Sequence, residues 1–143
     1  MKKSFYVFLI MGFLFSLISC STPEEKAYKE VYELGVNAIK EKLKSPSSAK
    51  FQELKEVTNK SYTVGDQPVS VAVACPDMLT GNKDVDAAMI KGLEGLKVDY
   101  CNMDIGVEAQ NSFGVLIKSI WQVKGRMLKY KDGSGNKWEI EFL

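Results

Sequence analysis

The side chains that could do chemistry are three cysteines, Cys20, Cys75 and Cys101, and a scatter of carboxylates; the chain contains no histidine. It therefore lacks the commonest general base, the usual activator of a nucleophile and the commonest metal ligand. Zinc held by cysteine needs four thiolates or a histidine complement, which these residues do not supply. Asn82, Asp84 and Asp86 open like an EF-hand loop, but Ala87 stands where glycine is required and Leu93 where a bidentate glutamate belongs. Helix capping and first-turn carboxylates explain those acids better. Asp99 and Asp104 are an odd number of residues apart, which places them on opposite faces of an alternating strand. Glu139 and Glu141 share a face, but Lys129 and solvent account for them. The expectation is a protein that is not an enzyme, with no catalytic residue, metal site or cofactor.

The first cysteine has a context of its own. Lys2 and Lys3 are followed by an apolar run of 14 residues, Phe5 to Ile18, broken only by Gly12 and Ser16. A membrane-spanning helix needs about 20 apolar residues, so this run reads as the core of a signal peptide. Leu17-Ile18-Ser19-Cys20 resembles the lipobox of bacterial lipoproteins. The resemblance implies cleavage after residue 19, a diacylglycerol thioether on Cys20 and usually acylation of the new amino group, with palmitate among the attached lipids. Residues 1–19 are then a leader and 20–143 a single lipid-anchored domain of the cell envelope. Two or three acyl chains hold a protein stably, since each buried methylene contributes about 0.8 kcal/mol. Ser21 is not the aspartate associated with inner-membrane retention, so the resemblance favours an outer membrane facing the periplasm, where the host has one.

Removing the two leader lysines leaves 17 basic against 18 acidic residues, a net charge of −1. With no basic excess to release counterions, nucleic acid is not an expected partner. In an oxidising compartment the two remaining cysteines read as one disulfide, Cys75–Cys101. Val69, Val71, Val73 and Cys75 alternate with small or polar residues, as do Cys101, Met103, Ile105, Val107 and Ala109. Antiparallel pairing of two such strands would set the cysteines opposite each other.

Thr22-Pro23-Glu24-Glu25 predicts a helix start, with Thr22 as cap and Glu25 completing a capping box. The helix is expected to run to about Lys44. Tyr28, Tyr32, Gly35, Ile39 and Leu43 form its apolar stripe, which Ala27, Val31, Leu34 and Ala38 widen. With only Ser21 between Cys20 and the cap, the domain is expected close to the bilayer, residues Pro23 to Lys29 nearest the headgroups. Ser45-Pro46 stops the helix.

Leu43-Lys44-Ser45-Pro46-Ser47-Ser48-Ala49-Lys50-Phe51 and Val107-Glu108-Ala109-Gln110-Asn111-Ser112-Phe113-Gly114 resemble two motifs of small bacterial secreted and lipoprotein domains. In those domains a helix ends in L-K-S-P-S-x-A-K-F, and N-S-F-G marks a tight turn before a long strand. The family brings no catalytic residues to carry over, and this chain departs from it by a cysteine-bounded insertion. Both motifs read first as backbone geometry: a helix stop with an anchoring Phe51, and a hairpin turn.

Ser61 to Val64 reads as a strand, and residues 84–96 as a short helix inside the disulfide-closed loop. Beyond the Asn111–Gly114 turn, Val115, Ile117, Ser119, Trp121 and Val123 share one strand face. Leu116 and Ile120 on the other suggest that it too is partly covered. With a loop over residues 132–136, Tyr130 would face Trp138, Lys129 would face Glu139 and Leu128 would face Ile140. The expected fold is α+β, a long N-terminal helix on an antiparallel sheet of four to six strands. The expected function is protein–protein interaction at the envelope: binding, inhibition, or exclusion of a phage or toxin. Binding of a small ligand or lipid between helix and sheet is the alternative, and an envelope hydrolase a weaker one.

Overall fold

The computed structural model describes residues 21–66, 79–92, 95–130, 132–133 and 136–143. The expected leader over residues 1–19, Cys20, Cys75 and the expected strand over residues 69–75 lie outside them.

Helix α1 (Pro23–Lys42) starts at the capping box. The Glu25 backbone N–H donates to Thr22 Oγ1 at 3.2 Å, and the Thr22 N–H donates to Glu25 Oε2 at 2.9 Å. Ala27, Val31, Gly35 and Ile39 are its buried line, while Leu34, at the edge of the expected stripe, is exposed. The helix stops at Leu43, a turn of 3-10 helix follows over Pro46–Ser48, and the chain enters the sheet.

Five antiparallel strands follow: β1 (Lys50–Phe51), β2 (Thr58–Thr63), β3 (Lys97–Gln110), β4 (Leu116–Lys129) and β5 (Trp138–Phe142). Helix α2 (Lys83–Gly92) lies between β2 and β3. The long β3 and β4 pair over their whole length, and β5 continues the sheet beyond β4. Both β1 and β2 occupy the other edge of β3, opposite Val107–Glu108 and Tyr100–Asp104 respectively. Between Thr58 and Ser61 the β2 register slips, with Asn59 at φ 51° and its Nδ2 donating to Asp104 Oδ2 at 2.6 Å. That is a bulge on an edge strand.

The α1-facing side of the sheet carries the core. Cys101, Met103, Ile105, Val107 and Ala109 are buried on β3, and Val123 and Trp138 on β4 and β5. Two glycines let the helix approach closely. A Cβ on Gly35 would stand 3.0 Å from Ile105, and one on Gly125 would stand 2.7 Å from Val31. On the opposite face, Leu96, Val98 and Leu128 form a small second cluster near the start of β3, and Leu116 and Ile120 stand exposed near the hairpin turn.

The fold class is thus α+β as expected, but three finer expectations need correction. Cys101 is a free, fully buried thiol. Its neighbours across the sheet are Tyr62 on β2 and Gly125 on β4, so both sides of β3 at that point are already filled. Pairing of a further strand beside Cys101 is thereby ruled out, and the expected Cys75–Cys101 disulfide and the loop it would close are not supported, Cys75 itself lying outside the described residues. The β4–β5 hairpin is three residues out of the expected register: Trp138 faces Met127, Glu139 faces Arg126 and Ile140 faces Gly125. An odd shift moves the partners to the other face, and it lets Trp138, Ile140 and Phe142 join Val123 under the helix. The third correction concerns Leu116 and Ile120: among the described residues nothing packs over them, and every residue from Ser112 to Ile120 is exposed.

Candidate interaction surface at the hairpin end

The polar side chains singled out in the sequence are accounted for by structure. Asp99 is 3% exposed on the helix side of β3. Lys129 Nζ lies 2.6 Å from its Oδ1, which also accepts from the Gly65 N–H at 2.8 Å, while the Tyr62 hydroxyl donates to Oδ2 at 3.3 Å. Asp104 is on the opposite face with Asn59, so the two aspartates never meet. Glu139 pairs with Arg126 at 3.1 Å and Glu141 with Lys124 at 2.9 Å, and the Lys124 hydrogen bond holds the Glu141 carboxyl below its ordinary range. Asn82 Oδ1 accepts from the Asp84 N–H at the start of α2. Asp86 accepts from the Thr80 N–H and hydroxyl and the Gly81 N–H, which lower its pKa. The Asn82 amide thus caps the helix, and the Asp86 carboxylate closes the loop before it. Among the described residues, no group of three or more His, Cys, Asp or Glu is placed to hold a metal ion.

Burial, then the Glu24 carboxylate, pushes the Cys101 thiol up to about 12. Burial and the hydrogen bond to Glu24 do the same for Tyr28, also to about 12. A thiol held this far above neutrality is not a nucleophile.

The unexplained feature is the far end of the β3–β4 hairpin. Asn111 builds the turn: its Oδ1 accepts from the Phe113 N–H at 2.9 Å and the Val115 N–H at 3.0 Å. Gly114 takes φ +76°, the left-handed region that suits glycine. Phe113 is thereby displayed at 87% exposure, and Val115, Leu116, Ile117 and Ile120 follow it into solvent. A cluster of large apolar side chains on a rigid turn is the usual mark of a contact surface. The sequence offered a signal for it, since apolar residues occupy both phases of β4 in this stretch and the helix can cover only one.

The two sequence motifs meet at this same end. Lys50 pairs with Glu108 and Phe51 with Val107. Beside the turn is an open groove of about 220 Å³, with Leu43, Ala109 and Ile117 among its apolar lining and Lys42 and Lys44 among its polar lining. A second open depression, of about 520 Å³, is lined by Lys50, Gln52, Glu56, Glu108 and Lys118 among others.

The direction of α1 sets where this end lies. Val31 packs at Gly125 beside Cys101, Gly35 packs at Ile105, and Leu43 lies with Ala109 and Ile117. The helix therefore runs alongside β3 in the same sense, from Thr22 at one end of the sheet to the hairpin turn at the other. Its 20 residues span about 30 Å. No helix among the described residues is long and apolar enough to cross a membrane.

No protein-family model, no curated protein and no solved structure matches the chain.

Proposed function

We propose that this protein is a lipid-anchored, non-catalytic component of a bacterial cell envelope that acts by binding another protein, with the β3–β4 hairpin end as its contact surface. The observation that carries the reading is the exposed set Phe113, Val115, Leu116, Ile117 and Ile120 at the end of the sheet opposite Thr22. If Cys20 carries the lipid, the capped helix starting at Pro23 holds the domain on the bilayer at one end and presents the apolar turn about 30 Å away. Apolar side chains meant to enter the bilayer would be placed at the anchored end. A surface held away from it suits a protein partner, including a phage or toxin component to be blocked.

Binding of a small ligand or lipid between helix and sheet is less well supported. The helix sits tightly on the sheet at Gly35 and Gly125, and the two depressions described are open and lie outside that contact.

The anchor is tested by globomycin, which is expected to leave a slower-migrating precursor; unchanged mobility contradicts it. The contact surface is tested in living cells with a photocrosslinking residue at Phe113 or, as control, at Lys29. One discrete adduct from position 113 and none from position 29 is expected. Adducts from position 29 alone would contradict the assignment.

A further inference from the structure

We infer that the edge of β4 over Leu116–Trp121, which no strand among the described residues pairs, takes an acidic, extended segment of the partner protein as an added strand. The inference rests on the protein-binding reading above and specifies its chemistry.

Two hydrogen bonds fix which backbone groups are available. The Asn111 N–H donates to the Val115 carbonyl, so odd-numbered residues at this end of β4 turn their N–H and C=O towards β3. The Leu143 N–H donates to the Gln122 carbonyl, so even-numbered residues turn theirs to the β5 side. The β5 pairing covers only Val123 to Met127. Leu116, Lys118 and Ile120 therefore direct three N–H and three C=O groups outward, and all three residues are exposed. A strand of about six residues would pair with this stretch.

The surrounding charge selects the occupant. Lys42, its Nζ 5.4 Å from the Phe142 ring centroid, and Lys44 line the groove on the helix side of this edge, and no carboxylate is among the lining residues. Lys118 stands on the other face, 3.2 Å from Glu108. An added strand would thus meet ammonium groups on both faces, next to Ile117 on one and Leu116 and Ile120 on the other. A strand that carries both an acidic and an apolar side chain on each face fits that pattern. A second copy of the chain does not, because two such edges would bring six lysines together; a lysine on an open edge is a common guard against self-pairing.

The test uses the protein purified from its own envelope in detergent, with two eight-residue peptides, one repeating Val-Val-Glu-Glu and one repeating Val-Val-Lys-Lys, so that each face of the strand carries both residue types. The glutamate peptide is expected to bind at least about tenfold more tightly and to slow hydrogen exchange across residues 115–122. Ile120→Pro removes one outward N–H and is expected to abolish both effects. Should that variant fold poorly, the Lys42→Glu/Lys44→Glu pair, which leaves the ladder intact, is expected to reverse the peptide preference. Unchanged exchange with the glutamate peptide, or equal binding of both peptides, overturns the inference. Protection of the same residues without peptide, together with a dimeric mass, overturns it in favour of a second copy. A discrete Phe113 adduct in cells alongside either failure would leave the protein-binding reading standing and remove only strand addition.

Discussion

The Ser48 hydroxyl oxygen accepts a hydrogen bond from the Gln110 backbone N–H at 3.0 Å, joining two sequence motifs that lie 62 positions apart. Gln110 is the next β3 residue to turn its N–H outward past the end of β1, and Ser48 satisfies it. The same hydroxyl donates to the Ser45 carbonyl at 2.8 Å. The helix stop and the hairpin turn are therefore one structure, and the stop braces the base of the turn that displays Phe113. Ser48→Ala is expected to cost about 1 kcal/mol in urea denaturation and to speed hydrogen exchange at Gln110.

The contact at Gly125 is equally specific. An added Cβ would meet Val31 at 2.7 Å and the Cys101 carbonyl at 3.1 Å. Gly125→Ala is expected to destabilise the fold by about 1–3 kcal/mol through overpacking. Val31→Ala in the same chain is expected to recover part of that loss, a coupling that a double-mutant cycle measures.

The buried ion pair makes a third case. Lys129→Met would leave the Asp99 carboxylate with only the Gly65 N–H and the Tyr62 hydroxyl. Breaking one side of such a pair costs about 3–5 kcal/mol, so equilibrium unfolding should shift by far more than for Lys55→Met, whose ion pair with Glu53 is solvent-exposed.

Much of this fold is legible in the chain. The capping box, the apolar stripe at helical spacing, the alternation of β3 and the Asn111–Gly114 turn all follow from local rules that tertiary packing did not override. What escaped reading depends on partners remote in sequence. Nothing local says that Tyr62, from a short and mostly exposed strand, takes the place beside Cys101 where a second cysteine was expected. The β4–β5 register is not set by pairs counted outward from the loop; the face shared by Val123 and Trp138 under α1 decides it. Asp99 is legible only as a poor partner for Asp104, and nothing local shows that Lys129, Tyr62 and Gly65 converge on it from three other segments.

The free thiol yields a pH prediction. Cys101 ordinarily ionises near 9.0 and in the fold only near about 12. Above pH 9 the unfolded chain releases this proton while the folded one keeps it. Stability is therefore full below pH 9 and falls as pH rises towards 12, by up to about 1.4 kcal/mol per pH unit for one proton. Cys101→Ala is expected to be less stable at neutral pH but to show a shallower decline above pH 9. In the native protein Cys101 should resist alkylation, and on unfolding it should react without prior reduction.

The central claim is that the hairpin end binds a protein partner, and comparative affinity capture from the native envelope tests it most directly. The intact protein, Phe113→Ser and the control Glu30→Ala are captured in parallel, with equal folding checked by circular dichroism. The account predicts one envelope protein held at equal levels by the intact chain and Glu30→Ala and depleted about tenfold or more with Phe113→Ser, as truncation of a central aromatic anchor requires. Equal recovery of that protein with all three chains would contradict it.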